Sequence, residues 1–387
     1  MEGPYPLSRT TRGLSFALGI AGLLAFAVGL SQSPVRAWAA FLLANVYVVS
    51  LALFGVVFVA MTHVFSAGWA VLFRRVPEAM AAYLPVGAVL MLALYLGRGD
   101  LYEWARPEAV AANPHLQHKA TYLNPAFFFL RMLVAFGLWI GFSRLILAHS
   151  RRQDLDGDVA HTRKSQTLSA VFLALFALTF TYSSFDWIMS LEPEWYSTLF
   201  PLYTVTGLFL GGTAAMILLV LWFQARGSLR GLTGHHRYEL VRLLCAASVA
   251  WVFIAGFQYL LIYYTNIPEE AVYYTRRFAG WGRVLSIANM GMGGLLPIAI
   301  LLPPRTRHSV RWLVRVCILV LIGRWLDLWL LIVPAVSAQV RISVLEVVIP
   351  LAFIPLFLLP VVAAFRRAEP VPRQDPYLVE SAYLRVT

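Results

Sequence analysis

The sequence predicts an all-α membrane protein with about ten transmembrane helices. Of its 387 residues, 60% are hydrophobic and 13% are charged, whereas soluble domains carry roughly 25% charged residues. Apolar runs of about 20 residues recur along the chain, and each is long enough to cross a bilayer core of roughly 30 Å. Runs such as GLSFALGIAGLLAFAVGL, residues 13–30, do not alternate between apolar and polar side chains, so helices are favoured over the strands of a barrel.

Ten apolar runs are long enough to span the bilayer. The first follows Arg9 and Arg12 and contains the small-residue stretch AFA, as a signal peptide does. We nevertheless expect this run to be retained as a membrane helix. The predicted spans are residues 13–30, 37–62, 76–97, 124–149, 165–190, 198–224, 238–265, 278–302, 310–333 and 341–365.

The basic residues predict the orientation of the chain in the membrane. One side of the predicted bundle collects 20 of the 31 Lys and Arg residues, the other side has seven, and four fall within spans. Because loops rich in Lys and Arg stay in the cytoplasm, both termini are predicted to be cytoplasmic. The net charge of +12 reflects this asymmetry and an affinity for anionic lipid, and it does not indicate nucleic-acid binding.

An internal repeat is predicted from the placement of charged residues. Spans two to five and six to nine begin on the same side, so they would form a parallel pair of four-helix bundles. Asp186 near the end of span five matches Asp327 in span nine, and Arg131 in span four matches Arg283 in span eight. The predicted units are an N-terminal arm with the first flanking helix (1–36), a first bundle (37–190), a second bundle (191–337), and the last flanking helix with a cytoplasmic tail (338–387). The proline-punctuated tail is predicted to be an extended arm.

Six charged side chains are predicted to lie within the membrane, all in the half away from the cytoplasm. A charge at the centre of a span costs roughly 2.5–3.5 kcal/mol, so such side chains usually face the protein interior and pair. They are Arg131, Asp186, Arg283, Arg324, Asp327 and Glu346.

Helical spacing places several polar residues together. Thr179, Tyr182 and Asp186 share one face of span five, and Arg324 lies three residues before Asp327, close enough to pair on a helix surface. Two interpretations stay open for this cluster. Its members either join helices by hydrogen bonds and ion pairs alone, or form part of a proton path or a quinone site.

A complete proton path would need further polar groups toward the cytoplasm. Asn45 and His63 in span two are separated by five helical turns, so they share a face across about 27 Å. Between them that face carries apolar side chains, among them Val49 and Val56. The sequence therefore predicts either an incomplete path that depends on internal water or a sealed bundle with an outer polar cap.

The histidines and cysteines argue against a cofactor bound by this chain. All eight histidines fall in loops or at span ends, whereas a membrane haem needs axial ligands at depth. Cys245 and Cys317 lie in the middle of spans and are expected to behave as small buried hydrophobic residues. The sequence contains no CxxC, HExxH or phosphate-loop motif, so no haem, iron–sulfur cluster or metal ligand is predicted.

Three segments carry a resemblance to a known family. They are SFDWIMSLEPEWYSTLF (184–200), ANMGMGGLLPIAILLP (288–303) and QDPYLVESAYL (374–384). They resemble the F subunit of bacterial alternative complex III, a quinol oxidoreductase, within the NrfD-like polysulfide-reductase membrane family. The first segment is the most specific, and the likeness covers all ten spans. The resemblance implies two four-helix bundles between the first and last helices, located in the bacterial inner membrane.

The resemblance also implies partners and cofactors. The expected partners are a paralogous NrfD-like membrane subunit, an iron–sulfur subunit, multihaem and monohaem cytochrome c subunits, and small membrane subunits. Haem c and iron–sulfur clusters are then expected in those partners, with quinone as a candidate ligand of this chain. In that family the quinol site is placed in the paralogous subunit and includes a histidine near the outer face, and this sequence has none at that depth.

These observations favour an integral membrane subunit of a quinol:electron-acceptor oxidoreductase, the acceptor being a cytochrome c or its equivalent. Such a subunit would be a scaffold without catalytic residues, and proton conduction is a candidate second role. One alternative is a quinone-binding subunit in which Arg131 and Asp186 receive the head group. Another is a stand-alone secondary transporter, favoured by the NMGMGG stretch of span eight and the three prolines of span ten.

Overall fold

The chain folds into helices and their connections. The computed structural model describes residues 9–337 and 339–384, with side chains from residue 13 onward, and these residues contain no strand. Ten helices within them are long and apolar enough to cross a membrane, which confirms the predicted fold class. Their bounds are α1 (Arg9–Gln32), α2 (Pro34–Val64), α3 (Arg75–Leu101), α4 (Pro125–Asp156), α5 (Ala160–Trp187), α6 (Phe200–Ala225), α7 (Gly234–Thr265), α8 (Gly282–Leu301), α9 (Val310–Val336) and α10 (Leu345–Arg366).

Local capping signals set the ends of α4. The helix begins after Asn124, whose side chain accepts a hydrogen bond of 2.9 Å from the backbone N–H of Phe127. It ends at Gly157, which adopts a left-handed φ of 69°, the conformation that commonly ends helices. The helix therefore runs to Asp156, beyond the predicted span end at residue 149, because polar residues continue the helix outside the apolar run.

Successive helices run in alternate directions, so their ends define two faces of the molecule. The tail face carries the connections 65–74, 157–159, 226–233 and 302–309 and the C-terminal tail, residues 367–384. The opposite face carries the connections 102–124, 188–199, 266–281 and 339–344. The assignment of the tail face to the cytoplasm rests on the basic residues and stays a prediction. The side chains of Arg9 and Arg12, and all of Arg385, belong to that prediction but lie outside the described residues.

The helices pack as two rings of four. In the first unit, α2 packs against α3 and α5, and α4 packs against α3 and α5. In the second unit, α6 packs against α7 and α9, and α8 packs against α7 and α9. The units meet where α2 packs against α6 and α9, while α1 and α10 pack on each other and on α2.

α2 is the central helix of the protein. The most apolar window of α2 is 94% buried, whereas the corresponding window of α1 is 11% buried. A helix that is apolar on every side belongs inside a bundle, and α2 accordingly contacts both units and both flanking helices. α1 instead presents most of its surface to lipid.

α8 crosses the membrane with a wide turn rather than a break. Its segment Gly291–Leu295 forms a π-helical turn between the α-helical segments Gly282–Met290 and Leu296–Leu301, a feature that often occurs at functional sites. Glycine is needed here because a Cβ at Gly294 would overlap the side chain of Val252 on α7. The glycine-rich stretch therefore lets α7 approach α8 closely.

The C-terminal tail is packed onto the tail face, in contrast to the extended arm that its prolines predicted. Asp375 is buried and pairs with Arg74 at 2.5 Å. The Ser381 hydroxyl donates to the carbonyl of Trp69 at 3.1 Å and accepts from the backbone N–H of Leu72 at 3.3 Å. These buried polar contacts fix the tail because a buried ion or backbone group left unpaired is costly.

The contact between α2 and α6 predicts a sensitive glycine. A Cβ at Gly212 on α6 would overlap the side chain of Phe54 on α2, whereas a Cβ at Gly141 on α4 would meet no atom within 4 Å. We expect Gly212→Ala to lower the free energy of unfolding by about 1–3 kcal/mol through overpacking. Gly141→Ala should be neutral or stabilising by up to about 1 kcal/mol. Unfolding of both variants in mixed micelles measures the difference, and equal effects would contradict the packing.

Candidate functional site

In the first unit, Arg131 on α4 and Asp186 on α5 bind each other. The Arg131 Nε and Nη2 atoms donate to the two carboxylate oxygens of Asp186 at 2.7 and 2.9 Å. Arg131 also donates to the Tyr122 carbonyl at 3.0 Å, and its guanidinium lies 3.9 Å from the Tyr122 ring centroid and 4.2 Å from that of Phe127. A bidentate pair of this kind satisfies both charges, so these side chains are occupied by each other.

The neighbouring polar groups of α5 also bind α4. The Tyr182 hydroxyl donates to the Arg131 carbonyl at 3.3 Å. Trp139 Nε1 donates to the Thr179 hydroxyl at 2.9 Å, and that hydroxyl donates to the Leu175 carbonyl at 2.7 Å. The face predicted from the spacing of α5 is therefore an interface between helices.

Tyr122 lies between the spans, next to this pair. Burial and the neighbouring Asp186 carboxylate raise the pKa of Tyr122 to about 12, so its phenol stays protonated at neutral pH. Its ring covers the Arg131 guanidinium on the opposite face. The first unit is thus closed at this depth by a paired arginine and an aromatic cap.

In the second unit, Asp327 on α9 collects donors from three helices. It forms an ion pair with Arg324 of its own helix. Its Oδ1 atom accepts from the hydroxyl of Tyr203 on α6 and, at 3.0 Å, from the amide of Asn289 on α8. Arg283, which the repeat matched with Arg131, is exposed instead. The two predicted pairs therefore differ, because Asp186 binds an arginine on another helix and Asp327 binds one on its own.

A cavity lies beside Asp327 in the half of the second unit near the opposite face. It measures about 260 Å³ and lies between α7 and α8, which pack together through the segments Gly291–Leu295 and Leu296–Leu301 nearer the tail face. At its rim, Tyr259 is 36% exposed and Ile287 is 68% exposed. Because both rim residues lie on membrane-spanning helices, the opening faces the side of the bundle, toward lipid.

Three buried polar atoms at the cavity have no hydrogen-bond partner among the described residues. They are Trp251 Nε1, Gln258 Oε1 and Asn289 Oδ1. The orientation of the Asn289 amide is set by its nitrogen, which donates to Asp327, so its oxygen is left free. Buried polar groups in native proteins are nearly always bonded. All three atoms belong to residues that line the cavity, so a ligand or water bound there is their candidate partner.

A short helix, Pro268–Arg277, closes the cavity on the opposite face. Arg277 is buried and donates to Glu192 at 2.6 Å and to the Leu330 carbonyl at 2.9 Å. Its guanidinium lies 3.4 Å from the ring centroid of Tyr273, which stacks on Trp195 at 4.0 Å. Burial raises the pKa of Tyr273, so this cavity-lining phenol stays neutral.

The other predicted site residues lie away from the cavity. Glu346 pairs with Arg36 at 2.8 Å near the opposite face. Asn45 accepts from the Tyr83 hydroxyl at 2.9 Å and donates to the Gly87 carbonyl at 3.0 Å, which joins α2 to α3. His63 is buried near the tail face with its Nε2 atom unpartnered among the described residues. Of the ten predicted residues, Asp327 and the exposed Arg283 line the cavity and the others do not, so the ten do not form one cluster.

A small second cavity lies between the two units. It measures about 30 Å³ and is lined by Ser183, Ser184 and Arg324, among others. Ser183 Oγ and Arg324 Nε have no hydrogen-bond partner among the described residues. A water molecule needs at least about 10–15 Å³ and two or more polar partners, so this space suits one or two waters.

Sequence reasoning did not single out Trp251 or Asn289. Asn289 could have been found, because an amide within an apolar span is costly and needs a partner. Trp251 could not, because tryptophans are common in membrane helices and nothing in the sequence says that its N–H lacks a partner.

The described residues contain no group of three or more His, Cys, Asp or Glu side chains that could hold a metal ion. Comparisons of the chain with models of protein families and with curated proteins give no match.

The Arg131–Asp186 pair predicts a non-additive response to mutation. Removing one partner leaves a buried charge uncompensated, so Asp186→Leu should destabilise the protein by about 3–5 kcal/mol. The double variant Asp186→Leu with Arg131→Met removes both charges and should recover most of that loss. A double-mutant cycle of unfolding free energies measures the coupling. Additive losses would show that the two side chains are not coupled.

Proposed function

We propose that this chain is an integral membrane subunit of a bacterial quinol:electron-acceptor oxidoreductase, related to the F subunits of alternative complex III. It holds no redox cofactor, and the haem c and iron–sulfur clusters belong to partner subunits. These are the cytochrome c, iron–sulfur, paralogous NrfD-like and small membrane subunits that the resemblance implies. The finding that supports a specific part in quinol chemistry is the lipid-facing cavity beside Asp327.

The cavity suits the head group of a quinol by size. Its volume of about 260 Å³ exceeds the roughly 150 Å³ of an apolar cavity that holds benzene, which leaves room for ring substituents. The aromatic side chains of Tyr203, Trp251 and Tyr273 line it and provide flat surfaces for a ring. The opening past Ile287 leads to lipid, where the isoprenoid tail of the quinol lies.

The cavity also suits a quinol by hydrogen bonding. A quinol hydroxyl carries one donor proton and two acceptor lone pairs, so it can donate to the free oxygen of Asn289 or of Gln258 and accept from Trp251 Nε1. The Arg131–Asp186 pair is a poorer receptor because both side chains already satisfy each other. The proposed head-group site is therefore at Asp327, and Arg131 and Asp186 serve to join helices.

The scaffold role is supported by the contacts of the segment 184–200. Within it, Asp186 binds α4, Glu192 binds Arg277 of the helix that closes the cavity, and Glu194 accepts from Asn113 at 2.9 Å. The carbonyl of Pro193 accepts from Lys119 at 2.5 Å. One segment thereby joins both units to the connection 102–124 and supports an ordered surface on which a partner subunit can dock.

A proton path across the whole membrane has less support. Between Asn45 and His63, the shared face of α2 carries Val49, Val56 and Val59, which are at most 3% exposed. An apolar and closely packed wall does not hold water. The buried polar groups of the cavity are therefore proposed to exchange protons with the opposite face only.

A stand-alone transporter also has less support. Such a protein needs a site near the membrane centre that opens to water, at discontinuous helices. The cavity instead opens toward lipid, and α8 continues through its π-helical turn.

Purification tests the assignment to a complex. A tagged chain extracted gently from its native membrane should bring haem-bearing subunits with it, visible as cytochrome c absorption. After these subunits are stripped away, the folded chain should show no visible absorption. A chain that copurifies with no redox protein under several detergents would contradict the proposal.

Blocking the opening tests the head-group site. Ile287→Trp places an indole at the rim of the cavity, and Leu178→Trp is a matched control because Leu178 on α5 is also 68% exposed. With the full chain in nanodiscs, we expect Ile287→Trp to weaken binding of decylubiquinol at least tenfold. Leu178→Trp should leave binding unchanged.

Trp251→Phe provides a second test inside the cavity. It keeps an aromatic ring but removes the free N–H donor, and the loss of one hydrogen bond of about 1 kcal/mol should weaken binding several-fold. Equal binding by the native chain, Ile287→Trp and Trp251→Phe would place the quinol elsewhere.

A further inference from the structure

The tail face of the second unit carries arginines that have almost no acidic partner among the described residues. Segments 226–242 and 305–315 contain eight arginines and one acidic residue, Glu239. Among the described residues, the ion pair recorded in these segments joins Glu239 to Arg242 at 2.9 Å. The remaining positive charge attracts anions from outside the chain.

On the same face of the first unit, two arginines are paired within the protein. Arg74 pairs with Asp375 at 2.5 Å, and Arg75 pairs with Glu78 at 2.6 Å and also with Asp154. Both arginines are buried. Segments 74–78 and 151–164 of the first unit contain four acidic residues, whereas the two segments of the second unit contain one, so acidic partners are scarcer in the second unit.

Three side chains of the second unit converge on Tyr238, one turn into α7. The ring of His308 stacks on the Tyr238 ring, with centroids 5.7 Å apart and planes 15° from parallel. The guanidinium carbons of Arg242 and Arg307 lie 5.8 and 5.3 Å from the Tyr238 centroid. Arg307 Nε also donates to His308 at 3.3 Å. Two guanidinium groups anchored to one ring form a prepared site for a phosphate, whose oxygens accept from their N–H groups.

Exposed apolar side chains on α7 and α9 continue from this end of the second unit into the membrane region. Val249 follows Arg242 by seven residues on α7, and Ile318 follows Arg311 by seven residues on α9, so each pair shares a helix face. Val249 is 53% exposed and Ile318 is 47% exposed. Acyl chains can cover these faces while a phosphate binds the arginines. This combination favours a lipid over a free phosphate ion.

We propose that Arg242 and Arg307 bind the phosphate of an anionic phospholipid, with phosphatidylglycerol as the reference ligand. The site lies between the start of α7 and the turn before α9, across the end of α8. Basic pockets between membrane helices are known to bind such head groups. The site is independent of the quinol cavity and of the proposed complex, so either can fail without the other.

Native mass spectrometry of the full chain tests the site. Phosphatidylglycerol is titrated into delipidated protein, and phosphatidylcholine serves as the zwitterionic comparison. An arginine near a membrane surface contributes about 1 kcal/mol to anionic-lipid binding, so Arg242→Gln with Arg307→Gln should weaken phosphatidylglycerol binding roughly thirtyfold. Phosphatidylcholine binding should stay unchanged.

The matched control removes the same charge from the same face of the first unit. Arg163 and Lys164 are exposed there, and Arg163→Gln with Lys164→Gln should change binding less than threefold. Arg242→Lys with Arg307→Lys keeps both charges but loses the forked N–H donors, so it should lose less binding than the glutamine pair, which separates lost charge from misfolding. Equal loss in both glutamine variants, or no loss in either, would overturn the site.

Discussion

The cost of burying a charge away from water governs this structure. Each buried carboxylate near the opposite face is bound by an arginine, and most of these arginines come from another part of the chain. Asp186 binds Arg131 of α4, and Glu192 binds Arg277 of the helix that closes the cavity. An unpaired charge in the membrane is costly, so these pairs hold helices together that would otherwise gain little by associating in lipid.

Asp327 is the exception, because its arginine comes from its own helix, and the cavity lies beside it. That arginine is Arg324, so no ion pair of Asp327 ties α9 to α7 or α8. Gly207 on α6 leaves the space that the Arg324 guanidinium occupies, because a Cβ there would overlap it. α7 and α8 then pack tightly at the glycine-rich turn and separate toward the opposite face. The first unit, whose aspartate binds an arginine on another helix, is thus closed. The second unit, whose aspartate binds an arginine on its own helix, contains the cavity.

The fold was predictable from composition, whereas the site was predictable only in part. Apolar runs locate all ten helices because each helix must cover the same bilayer thickness. Local spacing predicted the Arg324–Asp327 pair, since both residues lie on one helix. The partners of Asp186 and Asn289 lie on other helices, so no local pattern reveals them. Matching Arg283 with Arg131 by depth failed to find a partner for Asp327, because depth alone does not say which way a side chain points.

The most direct test is an electron cryomicroscopy structure of the chain in lipid nanodiscs with a quinol supplied. We expect a planar density between α7 and α8, within hydrogen-bond distance of Asn289 and Trp251, with its tail leaving past Ile287 into lipid. A cavity filled by repacked side chains, with α7 and α8 in contact along their whole length, would contradict this expectation. A lipid acyl chain beside Asp327 in place of a ring would contradict it equally, because an acyl chain cannot satisfy the free polar atoms.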